Sequence, residues 1–262
     1  MKYFMLKISF PFVLVISVVL MVSGCSQKPN KAGHEKHWSY EGETGPAHWS
    51  ELNSDNCGCS GKNQSPIDID TNDVVKSNLP DIEFHNNPVK LKLVNNGHTV
   101  QANVDSGCSI IIDGDRYDLL QFHYHSLSEH TVNGKHYPVE IHFVYKDSSG
   151  ALAVIGVFIK EGAENENYKP IWENLPSKPD EEYALSEPVD PGNLLPSDKR
   201  TYRYSGSLTT PPCTEGVKWF VMASPVEMSV AQIASAEKIY NHNYRPVLPL
   251  NARKVLYDTA VN

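Results

Sequence analysis

The stretch Gln121-Phe122-His123-Tyr124-His125 constrains the fold more than any other part of this chain. Its alternation has period two, so it reads as a strand with Gln121, His123 and His125 on one face. A second strand-like run, Val139 to Tyr145, carries Glu140, His142 and Val144 on one face. Asn133-Gly134, between the two, is a hairpin signal and predicts that they pair antiparallel. Three imidazoles would then converge on one point of a sheet. Three protein nitrogens plus a water make the open tetrahedral zinc site of catalysis, not the closed structural kind. A ligating histidine also needs its second ring nitrogen held by an acceptor. Gln121 and Glu140 each precede a histidine by two residues and lie on the faces suited to that role.

The surrounding texture is mainly β. Val89 to Val94 precedes Asn95-Asn96-Gly97, Ser109 to Ile112 precedes Asp113-Gly114-Asp115, and Tyr117 to His125 follows. Ala151 to Ile159 is a continuous apolar run, as expected of a strand buried on both faces. Helices are few. Ser229 to Gln232 has capping-box spacing and opens a helix to about Tyr240, and Asn165 to Asn174 reads as another short one. With 262 residues, 40% hydrophobic and 21% charged, the composition is that of an ordinary globular protein. A polar stretch at 25–36 reads as a tether, and 37–262 as one domain.

The N-terminus is read as a secretory signal over residues 1–24. Lys2 and Lys7 flank an apolar run too short for a comfortable spanning helix of about 20 residues. Val22-Ser23-Gly24-Cys25 resembles a bacterial lipobox, which makes Cys25 the expected lipidation site. The expected location is outside the cytoplasm, periplasmic or at the cell surface, with a lipid anchor in the membrane. Without the signal, 21 basic residues face 31 acidic ones, a charge of −10. Such an acidic chain is a poor partner for nucleic acid. In an oxidising compartment Cys57, Cys59, Cys108 and Cys213 can form disulfides. Four cysteines permit three pairings, and sequence does not choose among them. A structural disulfide explains Cys57-Gly58-Cys59 better than a soft-metal site does, because no second close pair completes one.

Spacing alone leaves alternatives. His130 and His136 compete as ligands. His123-Tyr-His125-Ser-Leu-Ser-Glu129 is also the H-x-H-x3-E pattern of metal-binding cupins, although no second cupin motif follows position 130. A wider set of motifs bears on the choice. These are His37-Trp38-Ser-Tyr40, Gly45-Pro46-Ala-His48-Trp49, Gln64-Ser-Pro-Ile-Asp-Ile69 and Asn95-Asn-Gly-His98. Further on stand Gln121 to His125, Ser128-Glu-His-Thr131, Glu140-Ile-His142, Gly206 to Cys213 and Asn243-Tyr-Arg-Pro246. In this order and over nearly the whole chain after the signal, they closely resemble the α-carbonic anhydrases.

The resemblance implies a large, twisted, mostly antiparallel sheet of about ten strands with short peripheral helices. It implies Zn2+ on His123, His125 and His142, with Gln121 and Glu140 behind them, which demotes His130 and His136. The implied reaction is reversible hydration of CO2 to bicarbonate and a proton, by attack of zinc-bound hydroxide. Thr209 resembles the threonine that accepts from the hydroxide, and Glu129 the carboxylate that fixes its hydroxyl direction. Val144, Val154, Leu208, Thr210 and Trp219 match the CO2 pocket. His98 matches the proton-shuttle histidine, and its ordinary imidazole pKa of about 6.5 suits that work. Tyr40, Asn96 and Gln101 match the proton path. Cys213 matches the disulfide cysteine of exported members, with Cys59 or Cys57 as partner. Sulfonamides and other anions are the implied inhibitors, and a homodimer is a candidate assembly. A catalytically dead relative used for binding would have lost a zinc histidine, and this chain keeps all three.

Overall fold

The computed structural model describes residues 37–259. The signal, lipobox and tether readings therefore lie outside the described residues. Within them, the strands are β1 (Asp68–Ile69), β2 (Val75–Ser77), β3 (Glu83–His85), β4 (Leu91–Asn95), β5 (Val100–Val104), β6 (Ser109–Ile112), β7 (Asp115–His125), β8 (Thr131–Val132), β9 (Val139–Lys146), β10 (Leu152–Glu161), β11 (Glu182–Ala184), β12 (Thr201–Ser207), β13 (Glu215–Met222), β14 (Val226–Met228) and β15 (Leu256–Asp258). The helices are short: α1 (Trp49–Leu52), α2 (Lys169–Trp172) and α3 (Val230–Glu237).

Ten strands run across the main sheet in the order β11-β4-β5-β7-β9-β10-β13-β12-β15-β2, and β3, β6 and β14 attach at its sides. Most neighbours are antiparallel. The exceptions in this sheet are β10 with β13 and β14, and β15 with β2.

Alternation sorts the two faces. Phe122 and Tyr124 of β7, Ile141, Phe143 and Tyr145 of β9, and Ile155, Val157 and Ile159 of β10 enter one large core on one side. Gln121, His123, Glu140, His142 and Val144 belong to the other face. There Val154, Trp219 and Val221 join Val144 in a second, smaller core. The expected burial of β10 on both faces is met, since Ala153 to Ile159 are all buried.

Two local expectations are corrected. β7 and β9 do pair antiparallel, with His123 opposite His142, but Asn133-Gly134 is not their connecting hairpin. Residues 126–138 make a longer excursion, in which β8 pairs parallel with β1. Asn133 and Gly134 close a tight turn of their own between Val132 and Lys135, both at positive φ (51° and 73°). The helix expected over 165–174 shrinks to α2. Asn165 Oδ1 instead accepts the main-chain N–H groups of Asn167 and Tyr168, as a short polar side chain does when it competes with helix formation. At α3 the capping box forms as read, Ser229 and Gln232 each bonding the other's backbone.

Cys213 pairs with Cys59, with Cα atoms 4.8 Å apart, while Cys57 is free and half-buried and Cys108 is free and buried. A Cβ at Gly58 would lie 2.6 Å from the Pro212 carbonyl oxygen, so a glycine here allows the close approach of the two chain segments. The bridge closes a separation of 154 residues, and its loss releases the unfolded chain. Replacing both cysteines by serine is expected to cost about 2–4 kcal/mol, read as a lower urea midpoint than that of the oxidised wild type.

Candidate metal centre

β7 delivers His123 and His125 to one face and β9 sets His142 directly across from His123. Ring centroids are 5.0 Å apart for His123 and His125, 5.4 Å for His123 and His142, and 4.6 Å for His125 and His142. One nitrogen from each ring lies within 4.8 Å of the others. His125 and His142 are buried, each 1% exposed.

The outer nitrogens decide the tautomers. His123 Nδ1 donates to Gln121 Oε1 at 2.8 Å, and His142 Nε2 donates to Glu140 Oε1 at 2.9 Å, as read from the sequence. His125 Nδ1 donates to the main-chain carbonyl of Asn243 at 2.6 Å. The lone pairs left over are on Nε2 of His123, Nε2 of His125 and Nδ1 of His142. His125 Nε2 is buried and has no hydrogen-bond partner among the described residues. A buried, unpaired acceptor beside two others of its kind is costly in a protein and fits a metal ion. Three neutral imidazoles with supported tautomers are also a donor set suited to zinc.

Burial, reinforced by the neighbouring histidines, holds His123 well below the usual imidazole range. Burial likewise lowers His125, against the pull of the Glu129 carboxylate. For His142 burial is outweighed by the carboxylates of Glu140 and Glu129, and its pKa rises. Burial thus favours the neutral form of His123 and His125, while the two carboxylates favour the charged form of His142.

A second group, His130, Glu140 and His142, is equally close, but its atoms are already spent. Glu140 accepts from His130 Nδ1, the His130 main-chain N–H and His142. His130 Nε2 bonds the Tyr204 hydroxyl at 2.7 Å, which in turn bonds Ser65 Oγ. His136 is exposed and bonds the Ser128 carbonyl.

Glu129 is fully buried. Its Oε1 accepts the Arg245 main-chain N–H at 2.8 Å. Its Oε2 has no hydrogen-bond partner among the described residues, and lies 3.5 Å from His125 Nε2 and 3.8 Å from His142 Nδ1. Thr209 is buried, yet no hydrogen bond joins it to Glu129 in the described structure. The Arg245 guanidinium donates to Gln64 Oε1, Ser65 O and Cys59 O, tying the disulfide segment to the same strut.

The apolar wall follows from register. Val144 lies opposite Val154, and Val154 beside Trp219, in one row across β9, β10 and β13. Leu208 packs on the same cluster, and the Trp219 ring lies 4.9 Å from that of His142. Thr210 is half-buried in the loop that follows. Gln101 is opposite His123 on β5 and donates to Asn103. Asn96 Oδ1 accepts the main-chain N–H groups of His98 and Thr99, which shapes the turn bearing His98. Tyr40 is edge-on to the His98 ring at 6.4 Å. Its hydroxyl is raised well above its ordinary pKa, first by burial and then by the charge of Glu129.

His98 stacks on Trp38 at 3.6 Å between centroids, and His37 stacks on His98 at 5.0 Å. Burial first, then the neighbouring His37, lowers its pKa to about 4. In this pose it is a neutral ring across the physiological range. Opening the stack by Trp38→Ala should return the His98 pKa toward its ordinary value of about 6.5, read from the imidazole resonances in an NMR pH titration.

Sequence reasoning missed the Asn243 carbonyl, which supports His125. Asn243 stood among the motif residues without a role, because a main-chain acceptor leaves no side-chain signal.

A family model described as eukaryotic-type carbonic anhydrase matches residues 44–259. A carbonic anhydrase from Klebsiella pneumoniae is 44% identical over 84% of this chain and 90% of its own length. One from Pectobacterium carotovorum is 40% identical over 92% and 98%. Among solved structures, the α-carbonic anhydrase of Thermovibrio ammonificans, in complex with the inhibitor sulfanilamide, is 48% identical. It superposes with a TM-score of 0.82 over 84% of this chain and 98% of that one.

Proposed function

Because the chain belongs to the α-carbonic anhydrase family, whose members are zinc lyases, we propose that His123, His125 and His142 are the residues that hold its zinc. The reaction is the reversible hydration of CO2 to bicarbonate and a proton. The observation that carries the ligand assignment is the unpartnered, buried Nε2 of His125, facing two more imidazole lone pairs within 4.8 Å.

Zinc, when bound, lowers the pKa of a water to about 7, a value for which carbonic anhydrases are themselves the reference case. The other tasks fall to the chain. Gln121, Glu140 and the Asn243 carbonyl hold the ligand rings in their metal-binding tautomers. Val144, Val154, Leu208, Thr210 and Trp219 offer apolar CO2 a dry wall beside the histidines. Thr209 and Glu129 aim the attacking group. A hydroxyl that donates to the free Oε2 of Glu129 can only accept from the nucleophile, and this fixes the direction of attack. His98 takes the released proton toward solvent, aided by water ordered on Tyr40, Asn96 and Gln101. Sulfonamide anions compete at the same place, a reading supported by the sulfanilamide complex of the Thermovibrio ammonificans relative.

Export and anchoring complete the reading. The segment to Cys25 directs the chain out of the cytoplasm, and lipid on Cys25 holds it to the membrane in the periplasm or at the cell surface, as a monomer or homodimer. Among the described residues no helix is long and apolar enough to cross a membrane, and the bridge between Cys59 and Cys213 suits an oxidising space. Radiolabelled fatty acid should enter the wild-type chain and not the Cys25→Ala variant.

The decisive test is stopped-flow CO2 hydration with zinc determined on the same sample. Fast hydration with one zinc per chain is expected. Zinc without hydration would sink the catalytic reading in favour of a binding role, and iron or manganese in its place would sink the zinc assignment.

A further inference from the structure

The segment holding Asn243 adds a second link between two parts of the site, the turn bearing His98 and strand β7, beyond the pairing of β5 with β7. Asn243 is 2% exposed and has no regular secondary structure around it. Its main-chain carbonyl accepts from His125 Nδ1 at 2.6 Å. Its side-chain Oδ1 accepts the Ser126 main-chain N–H at 2.9 Å. Its Nδ2 donates to two carbonyls, Tyr124 O and His98 O, both at 3.1 Å. The amide orientation is forced, since a flip would aim its oxygen at two acceptors and its donors at an N–H. Tyr124 O sits between the two ligand positions of β7 and also accepts from Thr99 Oγ1 at 2.6 Å. One buried amide therefore clamps the main chain of His98 to the strand that carries His123 and His125.

We propose that the side-chain amide of Asn243 is a positioning residue for the proton-transfer step, separate from the support its carbonyl gives to His125. The inference rests on the carbonic anhydrase reading and on His98 as proton carrier. The His98 ring is parked on Trp38 in this structure, and must swing from a fixed main chain to meet the same water chain at each turnover. Donor and acceptor placement is steep in its effect on rate, roughly 10²-fold for a misplacement of about 1 Å. Asn96 shapes the turn from within and Thr99 Oγ1 ties the next residue to the Tyr124 carbonyl, while the Asn243 amide holds the His98 carbonyl itself to that strand.

The test is Asn243→Ala in the zinc-loaded, full-length protein, which keeps the carbonyl and removes the amide. In a bulky, weak buffer kcat should fall about tenfold, a larger factor than any loss in kcat/KM, which reports the CO2 step, or in zinc content. Free imidazole, as a diffusible proton acceptor, should restore kcat. Backbone 15N order parameters should drop more over residues 97–99 than over 122–125, where β7 keeps its pairing with β5 and β9. His98→Ala is run alongside. If it leaves kcat unchanged, the shuttle reading falls and this inference falls with it. If it lowers kcat and Asn243→Ala does not, this inference alone is overturned. Parallel loss of kcat, kcat/KM and zinc, or a variant that does not fold, overturns the claim that the amide has a role separable from metal support.

Discussion

Changing His142 to alanine is expected to strip the zinc and to end CO2 hydration. His123 and His125 remain, two ligands on one strand, and two imidazoles do not make the three-nitrogen platform that an open zinc site needs. Without metal, water at pH 8 has a pKa of about 15.7 in place of about 7, so hydroxide on hand falls by many orders of magnitude. A loss in kcat/KM of at least about 10⁴-fold follows. Zinc content by mass spectrometry and stopped-flow hydration on the same sample give the answer. Stoichiometric zinc in the variant would refute the ligand assignment. The variant also removes one of the three hydrogen bonds on Glu140, so part of the damage will be to the fold, and circular dichroism separates the two.

Glu140→Ala should be the most destabilising single change near the site, although Glu140 touches no substrate. Its carboxylate is fully buried and accepts from His142 Nε2, His130 Nδ1 and the His130 N–H. A Cβ on Gly156, opposite His142 on β10, would come within 2.8 Å of Glu140 Oε1, so the sheet leaves room for the carboxylate by omitting a side chain. Removing one partner of such a buried set costs about 3–5 kcal/mol. In a chain of this size that is roughly 6–20 °C in Tm. Zinc affinity should also fall about 10–100-fold through the freed His142 ring, measured by chelator competition.

The acid limb has a definite sign. Burial alone would raise the Glu140 pKa, yet the charges of His130 and His142 and their hydrogen bonds set it well below the usual carboxylate range. Its folded value lies under its unfolded value of about 4.3. The stability it contributes is therefore complete above that unfolded value and lost as pH falls through the folded one. Metal-free wild type should lose stability more steeply below pH 4 than Glu140→Ala does, and equal slopes would remove the argument.

Much of the site was legible in the chain because a strand's period is local. Alternation alone set Gln121, His123 and His125 on one face and Glu140, His142 and Val144 on another, and the acceptors two residues upstream came from the same count. The period also marked β10 as a doubly buried strand, and the capping box marked the start of α3. Cys59 and Cys57 were indistinguishable, since both stand beside the same turn. Only the packed chain buries Cys59 against Cys213 and leaves Cys57 half-exposed. His130 was a competing ligand by spacing and proves to be a donor to Glu140, because the excursion after β7 turns its ring toward Tyr204. Residue type and period thus determined which side chains could face a metal. Tertiary structure decided what holds them, because the third acceptor is a main-chain carbonyl 118 residues from its histidine, and a carbonyl that every residue carries acquires meaning only where the fold brings it.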